Sequence, residues 1–402
     1  MSKNTHLEHL EDSILFDGEE GAKDAFDFLD ALEKTFSGTQ TSNFKITTKW
    51  DGAPAVICGI NPENDKFFVA TKSLFNADGK INYTNEDIEI NHGHAPGLVE
   101  KLKVALEYLP QLKIKSIVQG DLLFTDDAKD AKIENENYFV FTPNTITYAI
   151  PKETPAYKKA KKAKIGIVFH TQYIGDTIKG LNATFGVDVN KFTKTPDVFV
   201  ISAEIQTLGS NLLLNKIEKR NIETMKKVGE RQISDCKDFL NEIAKLIEAN
   251  DLLTVGPRIK TYFNTYVREG KRLTNIPKFV TDFKTYYNGA VLKEVAKVKT
   301  DKAKATKLAK LYAGEALIDA NIESFKKMIV LYNTISNAKL LFVKKLESAD
   351  STRTFLRTEN GFKITAPEGF VAIKDGKATK LVDRLEFSRA NFTIDKNWVK
   401  GP

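Results

Sequence analysis

Residues 44–60 read FKITTKWDGAPAVICGI, and the organisation of the whole chain follows from how this stretch is parsed. FKITTK is rich in β-branched residues, AVICGI is an apolar run of strand length, and Asp51-Gly52 between them is a turn signal. Lys49 therefore ends one strand at a turn, with a carboxylate two residues further on. A lysine that acts as a nucleophile must first lose its proton, which calls for burial or neighbouring cations to lower its pKa. The same letters also describe a surface lysine before an ordinary turn, so the rest of the chain has to decide between the two.

Outward from this stretch the patterning changes three times. Before it, Ala25, Phe28, Leu29, Leu32 and Phe36 fall at helical spacing. From 44 to 208 the chain is mostly strand-like, in runs such as FFVATKS, SIVQGDLLF, YFVFTP, IGIVFH and VFVISAEIQTL, with a helix expected near PGLVEKLKVALEYL. From 211 to 350 the period is helical. Ile259, Tyr262, Phe263, Tyr266 and Val267 form a stripe after Pro257, and Val280, Phe283 and Tyr287 another after Pro277. Rings at this spacing are read as the core of a helical bundle. Strand patterning returns at GFKIT, GFVAIKDG and ATKLVDRLEF, where Asp375-Gly376 signals a hairpin. The helical block thus looks inserted between two parts of one β-rich domain.

Composition excludes several classes. The 402 residues contain no apolar run near the roughly 18 needed to span a membrane. The polar N-terminus is no signal peptide, so a cytoplasmic protein is expected. Cys58 and Cys236, far apart, exclude a thiolate zinc site and suit a reducing compartment. The net charge of +7 is concentrated: residues 211–350 hold 27 Lys and Arg against 17 Asp and Glu, and 251–310 hold 14 against 5. Such a surplus suits a polyanion partner, and equally a solvated lysine-rich face. The N-terminal HLEHLED, with His6 and His9, suggests no mechanism, and His170 in IGIVFH is expected on a buried strand with its ring satisfied by hydrogen bonds.

The Lys-x-Asp-Gly motif followed by a strand resembles the nucleophile motif of the covalent nucleotidyltransferases: ATP-dependent DNA ligases, RNA ligases and mRNA-capping enzymes. Four further stretches resemble that superfamily's later motifs, in its order. They are FFVATKS with Lys72 and Ser73, IVQGDLLF with Asp121, YFVFTPN with Phe139 and Phe141, and EGFVAIKDG with Glu368 and Lys374 followed by ATKLVDR with Lys380 and Arg384. The resemblance covers about 44–145 and 361–390, and not the helical block. Together with the patterning and charge it leads to the expectation of an α+β fold: a mainly antiparallel-sheet nucleotidyltransferase domain at 1–210 and 351–402, with an inserted all-α, basic, nucleic-acid-binding domain at 211–350. About 20 residues follow Lys380, too few for a C-terminal OB domain. That points to the RNA-ligase side, nearest the phage-type RNA ligases, although a helical block placed before Glu368 is unusual for them.

What the resemblance implies chemically is specific. Lys49 would take AMP from ATP as a phosphoramidate, pass it to a 5′-phosphate, and that end would be sealed to a 3′-hydroxyl, on RNA or on DNA, by a monomeric enzyme of RNA repair. Lys380 or Lys374 would supply positive charge to the α-phosphate. Glu368 and Asp121 would hold Mg²⁺ or Mn²⁺. Phe141 or Phe139 would cover the adenine, and Asp51 would meet the ribose or orient the lysine. Thr47, Gly52, Lys72 and Ser73 would line the nucleotide site. The pattern is not complete. Asp121 stands where the family usually has Glu, Thr47 where many ligases have the Glu that reads the adenine amino group, and Val382 where a second lysine is common; Arg384 is the residue expected to compensate. A ligase for nicked DNA, or a nucleic-acid-binding protein that keeps the fold without the chemistry, are the alternative readings.

Overall fold

The computed structural model describes residues 7–39, 43–133, 135–205, 212–247, 253–348, 353–358, 361–364 and 368–385. His6 and the expected domain boundaries at 210 and 351 lie outside these. A 3₁₀ turn, Leu10–Asp12, leads into α1 (Ser13–Phe16) and α2 (Gly18–Phe36). Next come β1 (Phe44–Lys49), β2 (Ala55–Ile60) and β3 (Phe67–Ala70), then α3 (Asn85–His92) and α4 (Pro96–Tyr108). Strands β4 (Ile117–Phe124), β5 (Lys129–Ile133), β6 (Glu136–Phe141) and β7 (Ile146–Pro151) precede α5 (Pro155–Lys162). After β8 (Ile165–Ile174), β9 (Asn182–Phe185) and β10 (Val198–Ser202) the chain turns helical. The block comprises α6 (Lys216–Lys245), α7 (Val255–Arg268), α8 (Ile276–Ala296), α9 (Asp301–Ala320) and α10 (Ile322–Glu347). Strands resume as β11 (Arg353–Thr358), β12 (Gly361–Ile364), β13 (Gly369–Lys374) and β14 (Lys377–Leu381). The fold is α+β, with helices filling the interval between two groups of strands. None of the described helices is long and apolar enough to cross a membrane.

Local chemistry explains these boundaries. The α6 helix opens on a capping box in which Asn215 accepts from the Glu218 backbone and the Glu218 carboxylate answers. Pro277 sits in the first turn of α8, where its missing N–H costs nothing. The β13–β14 turn places Asp375 at φ 48° and Gly376 at φ 80°, the left-handed pair a tight hairpin requires.

The strands form three sheets. One has the order β1-β13-β14, the second β10-β8-β4-β2-β3 with β9 beside β8, and the third β12-β11-β7-β6-β5. All pairings are antiparallel except β10 with β8. Residues after β10 join the first two sheets: Thr48 N donates to Ala203 O (2.7 Å) and Ile205 N to Ile46 O (2.9 Å).

Period-two alternation gives the three-stranded sheet two faces. Ile46, Phe370, Ala372 and Leu381 belong to the large helical core. That core also takes in Leu29 and Leu32 of α2, Phe239 of α6, Phe283 of α8 and Met328 of α10. The N-terminal helices, expected with the β-rich part, therefore pack with the block at 216–347. Burying aliphatic and aromatic side chains is worth roughly 1.5–3 kcal/mol each, so this shared core holds the three-stranded sheet and the helices together. Lys45, Thr47 and Lys49 occupy the opposite face of β1, with Val371 and Lys380 across from Thr47.

The turn after Lys49 is stitched to β4. Ala53 N donates to Leu122 O (3.0 Å), and Leu122 N donates to Pro54 O (3.1 Å). A Cβ at Gly52 would lie 2.5 Å from the Asp121 Cβ and 3.0 Å from Leu122 O, so the close approach demands glycine. Gly52→Ala is expected to lose about 1–3 kcal/mol in urea unfolding, the usual cost of overpacking against a backbone that cannot retreat. A loss near zero would show that this turn is free to lift off β4.

Candidate active site

The register of β1 on β13 pairs Lys49 with Gly369 and so sets Glu368 beside the lysine. Gly369 has φ 137°, and a Cβ there would sit 2.5 Å from the Val382 side chain, which makes this entry to β13 a glycine position. Lys49 Nζ is in direct ion-pair contact with Glu368 Oε1. The lysine side chain is 25% exposed and the glutamate 10%, so the pair is largely removed from water. Glu368 Oε2 is buried with no hydrogen-bond partner among the described residues.

Asp121 lies opposite Ala55 on β4, at the end of the sheet where the Trp50-Asp51-Gly52 turn lands. A β-bulge in β8 lies behind it: Gln119 pairs with Thr171 and Gly120 with Phe169, so His170 is the extra residue. Its Nε2 lies 3.6 Å from Asp121 Oδ1, and its Nδ1 is 2.8 Å from Thr171 Oγ1. The expected strand and the hydrogen-bonded ring are both present, but the ring is half-buried and faces an acid at the site. Nothing in the sequence marks the bulge that turns it there.

The electrostatics are dominated by acids. Burial alone would push the Lys49 amine down, but Glu368, Asp121 and Asp51 outweigh it and raise its pKa. The charged form of this lysine is the resting one. Burial, with Asp51 and Asp121 adding to it against the attraction of Lys49, pushes Glu368 up to about 7. Burial first, and Lys49 second, bring Lys380 down to about 8. Depression of Lys49 by neighbouring cations is thus not the condition of the free protein.

Other expected residues divide into those brought to this place and those taken elsewhere. Lys380 is near enough to Lys49 for each to act on the other's charge. Thr47 is buried, with its hydroxyl 3.4 Å from Val371 O, and Glu204 bridges to it from the other edge of β1. Ala70 pairs with Ile57, so the chain leaving β3 runs towards the Ala55 end of the sheet, where Lys72 is exposed and the Ser73 hydroxyl meets Thr71 Oγ1 at 2.8 Å. Lys374 is paired with Phe44, at the far end of β1 and on the helix-facing side. Its amine lies 3.8 Å from Asp27 of α2, so it cannot serve Lys49 in this arrangement. Arg384 lies beyond β14, its guanidinium donating to Asp12 Oδ1 (2.8 Å), Tyr332 Oη (2.5 Å) and Asn264 Oδ1 (2.6 Å).

Asp51 is used structurally. Its carboxylate accepts from Asn144 Nδ2 (2.7 Å), Thr145 N (2.8 Å) and Ile146 N (3.0 Å), while its own N–H donates to Tyr148 Oη (2.6 Å). The residue thereby fastens the β6–β7 turn to the lysine strand. Phe141 is 2% exposed and stacks on Tyr148 with centroids 5.6 Å apart, and Phe139 packs on Phe124 at 5.4 Å. Both rings sit in a closed aromatic core, so neither presents an open face to a base. Trp50, which sequence reasoning passed over, lies against Tyr148 at 4.7 Å, and its buried Nε1 has no partner among the described residues.

The N-terminal segment also reaches this neighbourhood. His9 bridges to Lys380, whose N–H donates to Glu8 O (2.8 Å), and the Glu8 carboxylate contacts Lys260 of α7. Burial, then Arg384, Lys339, Lys380 and Lys260, hold the His9 ring well below its usual pKa and therefore neutral.

A carboxyl whose pKa is raised by folding adds stability that is complete below its unfolded pKa near 4.5 and is lost as pH climbs through about 7. A ¹³C-carboxyl titration of the whole protein is expected to show one glutamate midpoint near 7 that is missing from Glu368→Gln. All glutamates titrating below 5.5 would refute the buried, acid-rich environment.

Among the described residues no group of three or more His, Cys, Asp or Glu side chains is gathered as a metal site. Comparison with known proteins finds no curated protein and no solved structure that matches. A family model does match, over residues 4–396, and the chain therefore belongs to a family of unknown function, DUF6267.

Proposed function

We propose that this protein is an ATP-dependent polynucleotide ligase, of the RNA-joining kind, that works through a Lys49–AMP intermediate in a nucleotidyltransferase domain. The observation that carries the reading is the contact of Lys49 with Glu368, from opposite ends of the chain, with Asp121 and Lys380 acting on the same charges. These are four of the residues that the resemblance to covalent nucleotidyltransferases singled out. An ordinary surface lysine before a turn would have no reason to be buried against them.

The chemistry asked of these residues is nucleotidyl transfer. Lys49 must first lose a proton, and Glu368 is the group in contact with it and placed to take it once a bound nucleotide changes the local charge. The neutral Nζ then attacks the α-phosphorus: a P–N bond forms, the bond to the bridging oxygen breaks, and pyrophosphate departs with that electron pair. Lys380 offsets charge on the phosphoryl oxygens, in a step that depends chiefly on positioning and electrostatics. In the second step a 5′-phosphate oxygen displaces Lys49 and takes the AMP. In the third a 3′-hydroxyl attacks that phosphate and AMP leaves.

Mg²⁺, or Mn²⁺, suits the oxygens present. Glu368 Oε2 is a buried carboxylate oxygen without a partner, and Asp121 adds a second carboxylate. Two carboxylates with phosphates and water making up the rest is the usual manner of holding this ion. Bound there, it would neutralise charge developing on the phosphates.

The described part of the basic stretch, 253–310, lies on α7, α8, α9 and the segments flanking them, and its lysines and arginines suit phosphate backbones whatever their sequence. Incubation with α-labelled ATP and Mg²⁺ is expected to leave label on the chain, none on Lys49→Ala, and at least tenfold less on Glu368→Ala. Joining of nicked RNA against nicked DNA then ranks the substrates. A folded wild type that takes no label from ATP, GTP or NAD would end the ligase reading and leave a nucleic-acid-binding protein.

A further inference from the structure

A cavity of about 300 Å³, with Lys49 not among its lining residues, lies between α7, the α7–α8 turn, α10 and residues 383–385. Its volume is at the lower end of the range for small-ligand pockets. One wall is a helical stripe on α10, where Asn333, Ser336 and Asn337 fall at i, i+3 and i+4. Their side chains make no hydrogen bond among the described residues, so a row of amide and hydroxyl groups faces the space uncommitted.

The floor is charged and nearly dry. Lys339 and Glu11, 1% and 0% exposed, pair at 2.8 Å and cancel each other. Arg384, about nine-tenths buried, is fixed through its terminal nitrogens, while its Nε is buried with no acceptor among the described residues. At the mouth, Lys271 and Arg272 stand exposed on the turn after Gly270. Lys271 is shared with Glu269 at 2.7 Å, whereas Arg272 forms no ion pair among the described residues. Of the two lining acids, Glu11 is already neutralised and Asp383 accepts from Leu385 N (3.0 Å). Arg384 is held by Asp12, so the Arg272 guanidinium is the cation of the lining left without an ion-pair partner among the described residues. Apolar surface from Val267, Leu273 and Leu340 completes the lining.

We infer that this cavity is a second binding site, for a single phosphorylated nucleoside, free or at the 5′ end of a strand. The guanidinium of Arg272 suits a phosphate monoester, which it can meet through two parallel N–H groups. The Asn333–Ser336–Asn337 row offers donors and acceptors to sugar hydroxyls and base edges, and the aliphatic lining covers a planar ring. A bare anion would use only the cations and leave that row unmatched.

This site does not rest on adenylylation, and its test is kept apart from it. Calorimetric titration of the full chain uses UMP, ribose 5-phosphate and inorganic phosphate, then a short RNA with a 5′-phosphate or a 5′-hydroxyl. Wild type, Lys49→Ala, Arg272→Ala and Asn337→Trp are compared. Both cavity substitutions are at exposed positions, and equal thermal midpoints confirm folding. UMP is expected to bind one site on wild type and on Lys49→Ala alike, at least tenfold more weakly on Arg272→Ala, and not on Asn337→Trp. Tighter binding of the 5′-phosphorylated RNA than of the 5′-hydroxyl form would assign the site to strand ends. Binding of UMP without such a difference would assign it to free nucleotide. Inorganic phosphate binding as well as UMP, or UMP binding unchanged in both cavity variants, would overturn the inference.

Discussion

The ion pair between Lys49 and Glu368 joins the first strand of the fold to one from the other end of the chain, and most of the candidate site is arranged around it. Two charges taken out of water are tolerable only as partners, because either alone would be left uncompensated. Here the compensation is uneven. Burial, with Asp51 and Asp121 adding to it, moves Glu368 up to about 7, while Glu368 and the same two acids raise Lys49 against its own burial. One carboxylate oxygen of the pair, Glu368 Oε2, stays buried with no hydrogen-bond partner among the described residues.

A second buried network, on the helix-facing side, couples the distant parts of the chain. Glu11 with Lys339, and Asp12 with Tyr332 and Arg384, bring together the N-terminal turn, α10 and the residues after β14. Arg384 also reaches Asn264 on α7. Removing one member of such a pair commonly costs about 3–5 kcal/mol, since its partner stays buried and charged. Glu8 extends the connection by meeting Lys260 with its side chain and Lys380 with its carbonyl. The helical block is thereby tied through the N-terminal segment to the strand carrying Lys380.

Much of the local structure was legible beforehand. The stripe in α2, the proline-led starts of α7 and α8 and the Asp375-Gly376 hairpin are all written in short-range patterning, and each is where that patterning puts it. Side-chain destinations were less legible. Lys374 and Lys380 look equivalent in sequence, yet the hairpin register sets Lys380 across from Val371, three places from Lys374 and so on the other face, so one meets Asp27 and the other meets the site. Phe139 and Phe141 read as a surface for a base, but on β6 they fill an aromatic core with Phe124 and Tyr148. Asp51 reads as a group for the ribose or for orienting the lysine, and in the fold it caps the β6–β7 turn while also acting on the charge of Lys49.

HLEHLED shows the limit most clearly, because Glu11 and Asp12 are buried, and Glu8 half-buried, against partners on α10, the segment after β14 and α7 that no spacing rule connects to it. Taken alone, the sequence determined element types, the α+β class and the lysine-turn-strand motif, since these depend on residues within a few positions of one another. Tertiary structure decided which charges meet. The Lys49–Glu368 contact depends on strand register, and the place of the His170 ring beside Asp121 on a bulge, and both are set by packing among segments far apart in the chain.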